Sequence, residues 1–154
     1  MRIWLAGEDN LGDVARLLGE FRNWFGNSTP TDEEMLESAK RIFAEDGEFL
    51  LGALDDGPVG VCQLRFRWSV WTSSHDAWIE DVFVREEARG SGLGRALVET
   101  AIARARERGC ARIELDVDEA NTPALSLYRS LGFAEDMKAE ARSLLMGLRL
   151  RRPG

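Results

Sequence analysis

The chain has 154 residues, 44% of them hydrophobic and 31% charged, and its formal net charge is −7. This length suits one domain with one core, and no stretch approaches the roughly 20 continuous apolar residues of a membrane helix. The negative charge argues against a general nucleic-acid binder, whose affinity depends on Lys and Arg, and leaves room for a cationic partner.

The first half of the chain predicts two helices and a hairpin. Apolar residues at helical spacing predict a first helix from about Leu11 to Trp24. Thr31 and Glu34 form a capping-box pattern, which predicts that a second helix begins there. Two alternating runs, 49–54 and 59–70, predict an antiparallel hairpin with one face in the core.

The second half predicts a strand, a glycine-rich loop, a helix and another strand, an order that implies a right-handed parallel crossover. The expected elements are a polar loop at 72–76, a strand ending at Val84, a helix closed by Gly109, a strand at 111–117, a helix at 123–131 and a strand at 143–150. We therefore expect a mixed α/β fold (α+β in arrangement) that forms a single domain over residues 1–154.

The stretch RGSGLGR at residues 89–95 is the most informative motif. A loop of small residues between a strand and a helix lets backbone N–H groups and the helix dipole hold a phosphate. The Rossmann fingerprint fails because its last glycine position falls on Arg95 or Leu97, and no Gly-Lys-Ser/Thr follows as in a P-loop. A tight turn that binds nothing is the alternative explanation of the loop.

Several motifs around the loop occur in a specific order. Arg89, Gly92 and Gly94 match the pattern Arg/Gln-x-x-Gly-x-Gly/Ala, and the strand IEDVFV precedes them. The later residues of the pattern are Asn121, Ala124, Leu127, Tyr128, Gly132 and Phe133. Over residues 78–133 the chain thus resembles the GNAT superfamily of N-acetyltransferases, and its Glu-Asp pair is similar to the diamine acetyltransferase branch.

The resemblance implies acetyl-CoA as co-substrate, no metal ion, and a mostly antiparallel sheet splayed between two parallel strands. The loop amides would hold the pyrophosphate, and the pantetheine arm would add to the open strand edge as a peptide does. The alternating charges at 111–117 are compatible with such a splay. The implied cofactor-binding residues are Val82, Phe83, Val84, Arg89, Gly90, Ser91, Gly92, Leu93, Gly94, Arg95, Asn121 and Tyr128.

Acetyl transfer to an amine needs a neutral nitrogen, a stabilised oxyanion and a proton for the leaving thiolate. Glu80 and Asp81 are the candidate bases, and because adjacent strand residues point to opposite faces, one of them should face the acceptor. The resemblance favours Glu80, while a solvated or structural role remains the alternative for each carboxylate. The resemblance also implies that Tyr128 donates the proton, whereas helical periodicity alone places it in the core.

Three further residue sets enter the expected site. Asn121 suits the cap of the following helix, and the resemblance adds a contact to pantetheine. An acidic mouth at Asp32, Glu33 and Glu34 would attract a cationic acceptor, although these acids also complement the helix dipole. The tryptophans expected in the walls are Trp24, Trp68 and Trp71.

We therefore expect an acetyl-CoA-dependent N-acetyltransferase acting on a primary amine of a small cationic molecule by direct attack on the thioester. The alternatives are a peptide or protein N-terminal or lysine acetyltransferase, a non-catalytic acetyl-CoA-binding module, and a structural domain. Cys62 and Cys110 lack metal-ligand spacing. We expect a cytoplasmic protein with reduced thiols that forms a homodimer and has neither a nucleic-acid nor a membrane partner.

Overall fold

The computed structural model describes residues 1–135 and 144–151, which fall in two compact units, Met1–Asp116 and Val117–Gly154. The elements of the first unit are β1 (Arg2–Leu5), α1 (Leu11–Trp24), α2 (Asp32–Ala44), β2 (Glu48–Ala53), β3 (Gly60–Ser69), β4 (Ser74–Val84), α3 (Leu93–Glu107) and β5 (Arg112–Glu114). The described part of the second unit contains α4 (Thr122–Ser130). Among the described residues, no helix combines the length and the apolar character needed to span a bilayer.

The five strands form one sheet in the order β1-β2-β3-β4-β5. The first three neighbouring pairs are antiparallel, and β4 pairs with β5 in parallel. Because α3 lies between β4 and β5 in the chain, the predicted parallel crossover is confirmed. The mixed α/β fold with a mostly antiparallel sheet is confirmed as well.

Helices α1 and α2 cover one face of the sheet. Both helices agree with the predictions from the sequence. Helix α1 has the predicted bounds, and α2 begins at the predicted Thr31–Glu34 capping box. The apolar cluster beneath them contains Ala6, Leu11, Val14, Leu17, Ala39, Phe49, Leu51, Val61 and Phe83. Removing these side chains from water stabilises the fold on this face.

Helix α3 packs on the opposite face, where two glycines let it approach the sheet. A Cβ at Gly52 would lie 2.8 Å from Leu93 Cδ1, and a Cβ at Gly60 would lie 3.0 Å from Leu97 Cδ1. Leu93 and Leu97 are fully buried between α3 and the sheet. The helix ends before Gly109, whose φ of 74° is the left-handed conformation predicted for its cap.

Several strands differ from those that the sequence predicted. Strand β1 was not predicted, because four residues give too short a pattern for periodicity to detect. The polar loop expected at 72–76 is shorter, since β4 begins at Ser74 and pairs with β3 as far as Ser69. The backbone ladder therefore extends through polar residues that looked like a loop.

The predicted strand at 143–150 was also wrong where it can be checked. Residue 143 lies outside the described residues, and residues 144–150 form no strand. The alternation that suggested a strand is present in the side chains Leu144, Met146, Leu148 and Leu150, all of them exposed. Alternation indicates how side chains could divide between faces, but a strand also needs a hydrogen-bonded backbone partner.

Candidate active site

A β-bulge interrupts β4 at the predicted catalytic carboxylates. Gln63 of β3 pairs with Asp81, while Leu64, the next residue, pairs with Ile79, so that Glu80 is the extra residue. A bulge re-aims the side chains next to it and bends the strand. The expectation that Glu80 and Asp81 point to opposite faces came from regular alternation, and that premise does not hold across the bulge.

Asp81 lies on the sheet face that α1 and α2 cover. It pairs with Gln63 two residues from the Val61–Phe83 pair, and both Val61 and Phe83 belong to the core beneath α1. Asp81 is partly buried, whereas Glu80 is exposed. Burial, and secondarily the charges of Glu80 and Asp116, raise the pKa of Asp81 to about 6.

The parallel strands part next to this pair of carboxylates. The register between β4 and β5 contains three pairs and ends at Trp78 and Glu114. Within residues 1–116, β4 therefore has a paired neighbour on its β3 side alone at residues 79–84. The predicted splay is thus present, and β5 is shorter than the predicted strand at 111–117 because its ladder stops there.

An ion pair holds the two strands together before they part. Arg112 Nε donates to Asp76 Oδ2 at 2.9 Å, and the Asp76 side chain is 3% exposed. These two residues form the first of the three parallel pairs. The contact fixes the paired part of the two strands next to the open edge.

The glycine loop leaves several backbone donors without an acceptor. Gly90 and Gly92 have φ angles of 77° and 88°, a left-handed conformation that favours glycine. Ser91 Oγ donates to Ala88 O at 2.5 Å and accepts from Leu93 N at 3.3 Å, which fixes the turn. In the described part of the chain, the amides of Gly90, Ser91, Gly92 and Gly94 donate to no acceptor. Such amides at a helix N-terminus suit an anion.

The three arginines around the loop differ in what they contact. Arg85 makes two short hydrogen bonds to Glu20 of α1, at 2.7 and 2.5 Å, and Arg95 pairs with Glu99 at 3.4 Å. Arg89 Nε donates to Val84 O at 3.0 Å. The Glu20–Arg85 contact joins residues far apart in sequence, so no local pattern signalled it.

The predicted acidic mouth is largely engaged in local structure. Asp32 pairs with Arg22 at 2.8 Å, and Glu34 accepts from the backbone N–H of Thr31 in the capping box. That hydrogen bond lowers the pKa of Glu34. Glu34 therefore stabilises the helix start and Asp32 joins α2 to α1, which for these two acids is the structural alternative to attracting a substrate.

Two of the three predicted wall tryptophans lie far from the carboxylates. Trp68 and Trp71 lie at the tip of the β3–β4 hairpin, where Trp68 packs edge-on against His75 and Trp71 is 94% exposed. An extended strand from His75 to Asp81 measures about 20 Å. Trp24, by contrast, lies at the end of α1, with the Arg89 guanidinium 5.3 Å from its ring centre.

The second unit contains the two remaining predicted residues. Asn121 caps α4, since its Oδ1 accepts from Ala124 N at 3.3 Å, as predicted. Tyr128 lies on the half-buried stripe of the same helix, and its ring contacts Phe133 at 5.8 Å between centres. Their predicted contacts to acetyl-CoA stay predictions.

Comparison with known proteins agrees with this arrangement. Residues 15–133 match the model of the Acetyltransferase (GNAT) family. Thialysine N-epsilon-acetyltransferase of Bos taurus is 26% identical over 151 residues, covering 88% of this chain and 85% of that protein. Mycothiol acetyltransferase of Thermobispora bispora is 47% identical over 72 residues, which are 41% of this chain and 24% of that protein.

A solved structure has the same fold over almost its whole length. A protein from Arthrobacter sp. FB24, named as a candidate acetyltransferase, superposes with a TM-score of 0.87 and 30% identity, covering 97% of this chain and 96% of that one. Together with this fold, the family match and the related proteins identify an acetyltransferase. The chain belongs to the GNAT family, and the protein is an N-acetyltransferase.

Proposed function

We propose that the protein transfers the acetyl group of acetyl-CoA to a primary amine of a small molecule that approaches as a cation. The observation that carries the proposal is the continuity of three features along one stretch of chain. A bulged strand with two carboxylates and an open edge leads directly into a loop of unpaired amides and then into a helix N-terminus. Each feature suits one part of the two substrates.

The glycine loop fits the pyrophosphate of acetyl-CoA. The unpaired amides of Gly90, Ser91, Gly92 and Gly94 are donors for phosphate oxygens, and the positive end of the α3 dipole adds to the attraction. The open edge at residues 79–84 offers backbone groups to the amides of pantetheine, with Val82, Phe83 and Val84 as its partners. A backbone N–H near Val82 would stabilise the oxyanion.

We assign proton removal from the acceptor to the Glu80–Asp81 pair. An alkylammonium group with a pKa near 10.4 must lose a proton before it attacks the thioester. The pKa of about 6 makes the Asp81 carboxylate a better-matched base than an ordinary aspartate, because it is ionised at neutral pH yet holds a proton more tightly. Glu80, favoured by the family resemblance, lies beside it in the bulge.

Tyr128 would return a proton to the leaving thiolate of CoA. A phenol remains protonated at pH 7 and can donate to a thiolate as the carbon–sulfur bond breaks. The amine nitrogen, cationic after its attack, loses its second proton as the carbon–sulfur bond breaks; this proton can restore the Tyr128 hydroxyl, the nitrogen keeps the acetyl group, and CoA leaves as the thiol. Asn121 is proposed to contact pantetheine in addition to capping α4.

A small amine is the acceptor class that we propose, and relatives support it. Similar proteins are named for the acetylation of thialysine, mycothiol and streptothricin. The chain spans only 24% of the mycothiol enzyme from Thermobispora bispora. The name of that relative therefore supports the acceptor class of this protein less directly than thialysine does. A peptide or protein acceptor is the second candidate. A cytoplasmic location and a homodimer stay predictions from the sequence.

A panel of amines assayed for thiol release from acetyl-CoA tests the proposal. The panel contains diamines, amino acids with side-chain amines, neutral-tailed amines and peptides. We expect acceptor-dependent release of CoA with a small amine. Binding of CoA without turnover on any amine would instead indicate a non-catalytic binding module.

A further inference from the structure

The end of α1 contacts the start of the glycine loop through a cation–π pair. The guanidinium carbon of Arg89 lies 5.3 Å from the centre of the Trp24 ring. On its other side, Arg89 Nε donates to the carbonyl of Val84 at 3.0 Å. The Arg89 guanidinium is therefore held in two ways, by the face of the Trp24 ring and by the hydrogen bond from its Nε to Val84.

The outer edge of the same guanidinium is free. Among residues 1–135 and 144–151, neither Nη atom of Arg89 has a hydrogen-bond acceptor or a carboxylate partner. Arg85 and Arg95, by contrast, both pair with a glutamate. A guanidinium held at Nε with two free Nη groups presents the fork that binds phosphate oxygens in pairs.

The Trp24 ring is itself held in place by an aromatic group that reaches β4. Trp24 packs edge-on against Phe25 at 5.1 Å and lies 6.4 Å from Phe21. Phe21 stacks on Phe83 of β4 at 5.0 Å. The tryptophan is 57% exposed, so its ring lies at the protein surface beside the Arg89 guanidinium.

We propose that Trp24 is a positioning residue for acetyl-CoA, because it holds the Arg89 fork towards a phosphate group of the bound co-substrate. This inference rests on the proposed function, since it assumes that CoA binds at the glycine loop. Trp24 would therefore serve the co-substrate rather than the acceptor wall for which the sequence suggested it. Because Trp24 contacts Arg89 and not the Glu80–Asp81 pair, we expect its removal to weaken CoA binding more than it lowers turnover at saturating acetyl-CoA.

The test measures the dissociation constant of CoA calorimetrically for Trp24→Leu, Trp24→Phe and Arg89→Ala. We expect an increase of about fivefold for Trp24→Leu and a smaller one, about twofold, for Trp24→Phe, since tryptophan gives the strongest cation–π contact. Trp71→Leu is the matched control, because it makes the same substitution at a tryptophan that is 94% exposed at the tip of the β3–β4 hairpin, away from the glycine loop. It should bind CoA like the wild type.

A double-mutant cycle separates positioning from a purely structural role. If Trp24 acts through Arg89, adding Trp24→Leu to Arg89→Ala should not raise the dissociation constant of CoA any further. If the two residues act independently, their fold-changes in the dissociation constant should multiply. Multiplying effects, or a Trp24→Leu dissociation constant within twofold of wild type, would overturn this inference alone. Failure of the wild type to bind CoA would overturn the proposed function. Should Trp24→Leu not fold, the cycle is run with Trp24→Phe.

Discussion

Asp81 has its carboxylate in a partly buried position near two other carboxylates, Glu80 and Asp116. Both burial and like charge disfavour its ionised form, which is why its pKa is raised to about 6. The sequence indicated Glu80 and Asp81 as the candidate general bases. It did not indicate the contribution of Asp116, because that residue lies just beyond β5 and comes near Asp81 only once the distant strands β4 and β5 have paired.

Replacing Asp81 with Asn should remove the acidic limb of the pH–rate profile. In the wild type, kcat/KM should rise through about pH 6 as the carboxyl loses its proton. In Asp81→Asn the limb should disappear and the remaining rate should shift towards alkaline pH, where more amine is already neutral. Glu80→Gln is the paired variant. A loss of the limb in Glu80→Gln alone would identify Glu80 as the base.

The raised pKa of Asp81 also predicts how the stability of the protein depends on pH. Since its folded-state pKa lies above its ordinary value of 3.8, the folded protein holds this proton more tightly than the unfolded chain does. The wild type should therefore lose stability as pH rises from about 4 to 6. Above pH 6, Asp81→Asn should be more stable, by about 3 kcal/mol at most. Urea unfolding at pH 5 and 8 measures the difference, and equal stabilities at pH 8 would contradict it.

Tyr128→Phe should lower turnover more than CoA affinity. The substitution removes one hydroxyl and keeps the ring that contacts Phe133. Single-turnover kinetics and a thermal melt on the same variant decide the role. A change of melting temperature with intact turnover would indicate a core tyrosine.

At the scale of the element, the regular helices were predictable and the irregular strand was not. Helix α1 and the capping box of α2 follow from local spacing and local hydrogen bonds. The bulge at Glu80 and the end of pairing at Trp78 depend on how β4 meets two other strands. The sequence of β4 alone contains no pattern that predicts the bulge or the end of pairing. The sequence could therefore identify the candidate site residues but not the directions of their side chains.

The C-terminal end of α3 is fixed by an ion-pair network around Glu48 of β2. Arg104 donates to Glu48 at 2.7 Å and Arg108 donates to it at 3.1 Å, and the Glu48 side chain is only 12% exposed. Arg108 also pairs with Asp46 and stacks over Phe66 at 3.7 Å. The network joins helix to sheet at the end opposite to the glycine loop.

Glu48→Gln should lower the free energy of unfolding by about 2 kcal/mol, because two half-buried arginines lose their shared carboxylate. CoA affinity should not change, since α3 separates the network from the loop by about 20 Å of helix. Glu107→Gln is the control, because Glu107 is 67% exposed and its pair with Arg104 contributes little. Equal stability of Glu48→Gln and wild type would contradict the prediction.

At the scale of the whole molecule, the net charge of −7 is spread over a surface whose acids are often paired. The long-range field still attracts a cation, and salt should weaken that attraction. We therefore expect kcat/KM for a cationic amine to fall between low and high salt, with less change for a neutral-tailed amine. A preference for anionic amines without salt dependence would remove the cationic acceptor and leave the acetyltransferase class intact.

The central claim is that the glycine loop holds CoA, and calorimetric titration of CoA into Gly92→Val tests it most directly. A branched side chain at a φ of 88° strains the loop and moves its amides, so we expect the dissociation constant to rise about tenfold or more. Gly109→Val imposes similar strain at the far end of α3, where φ is 74°, and should bind CoA like the wild type. Unchanged CoA affinity in folded Gly92→Val would contradict the claim.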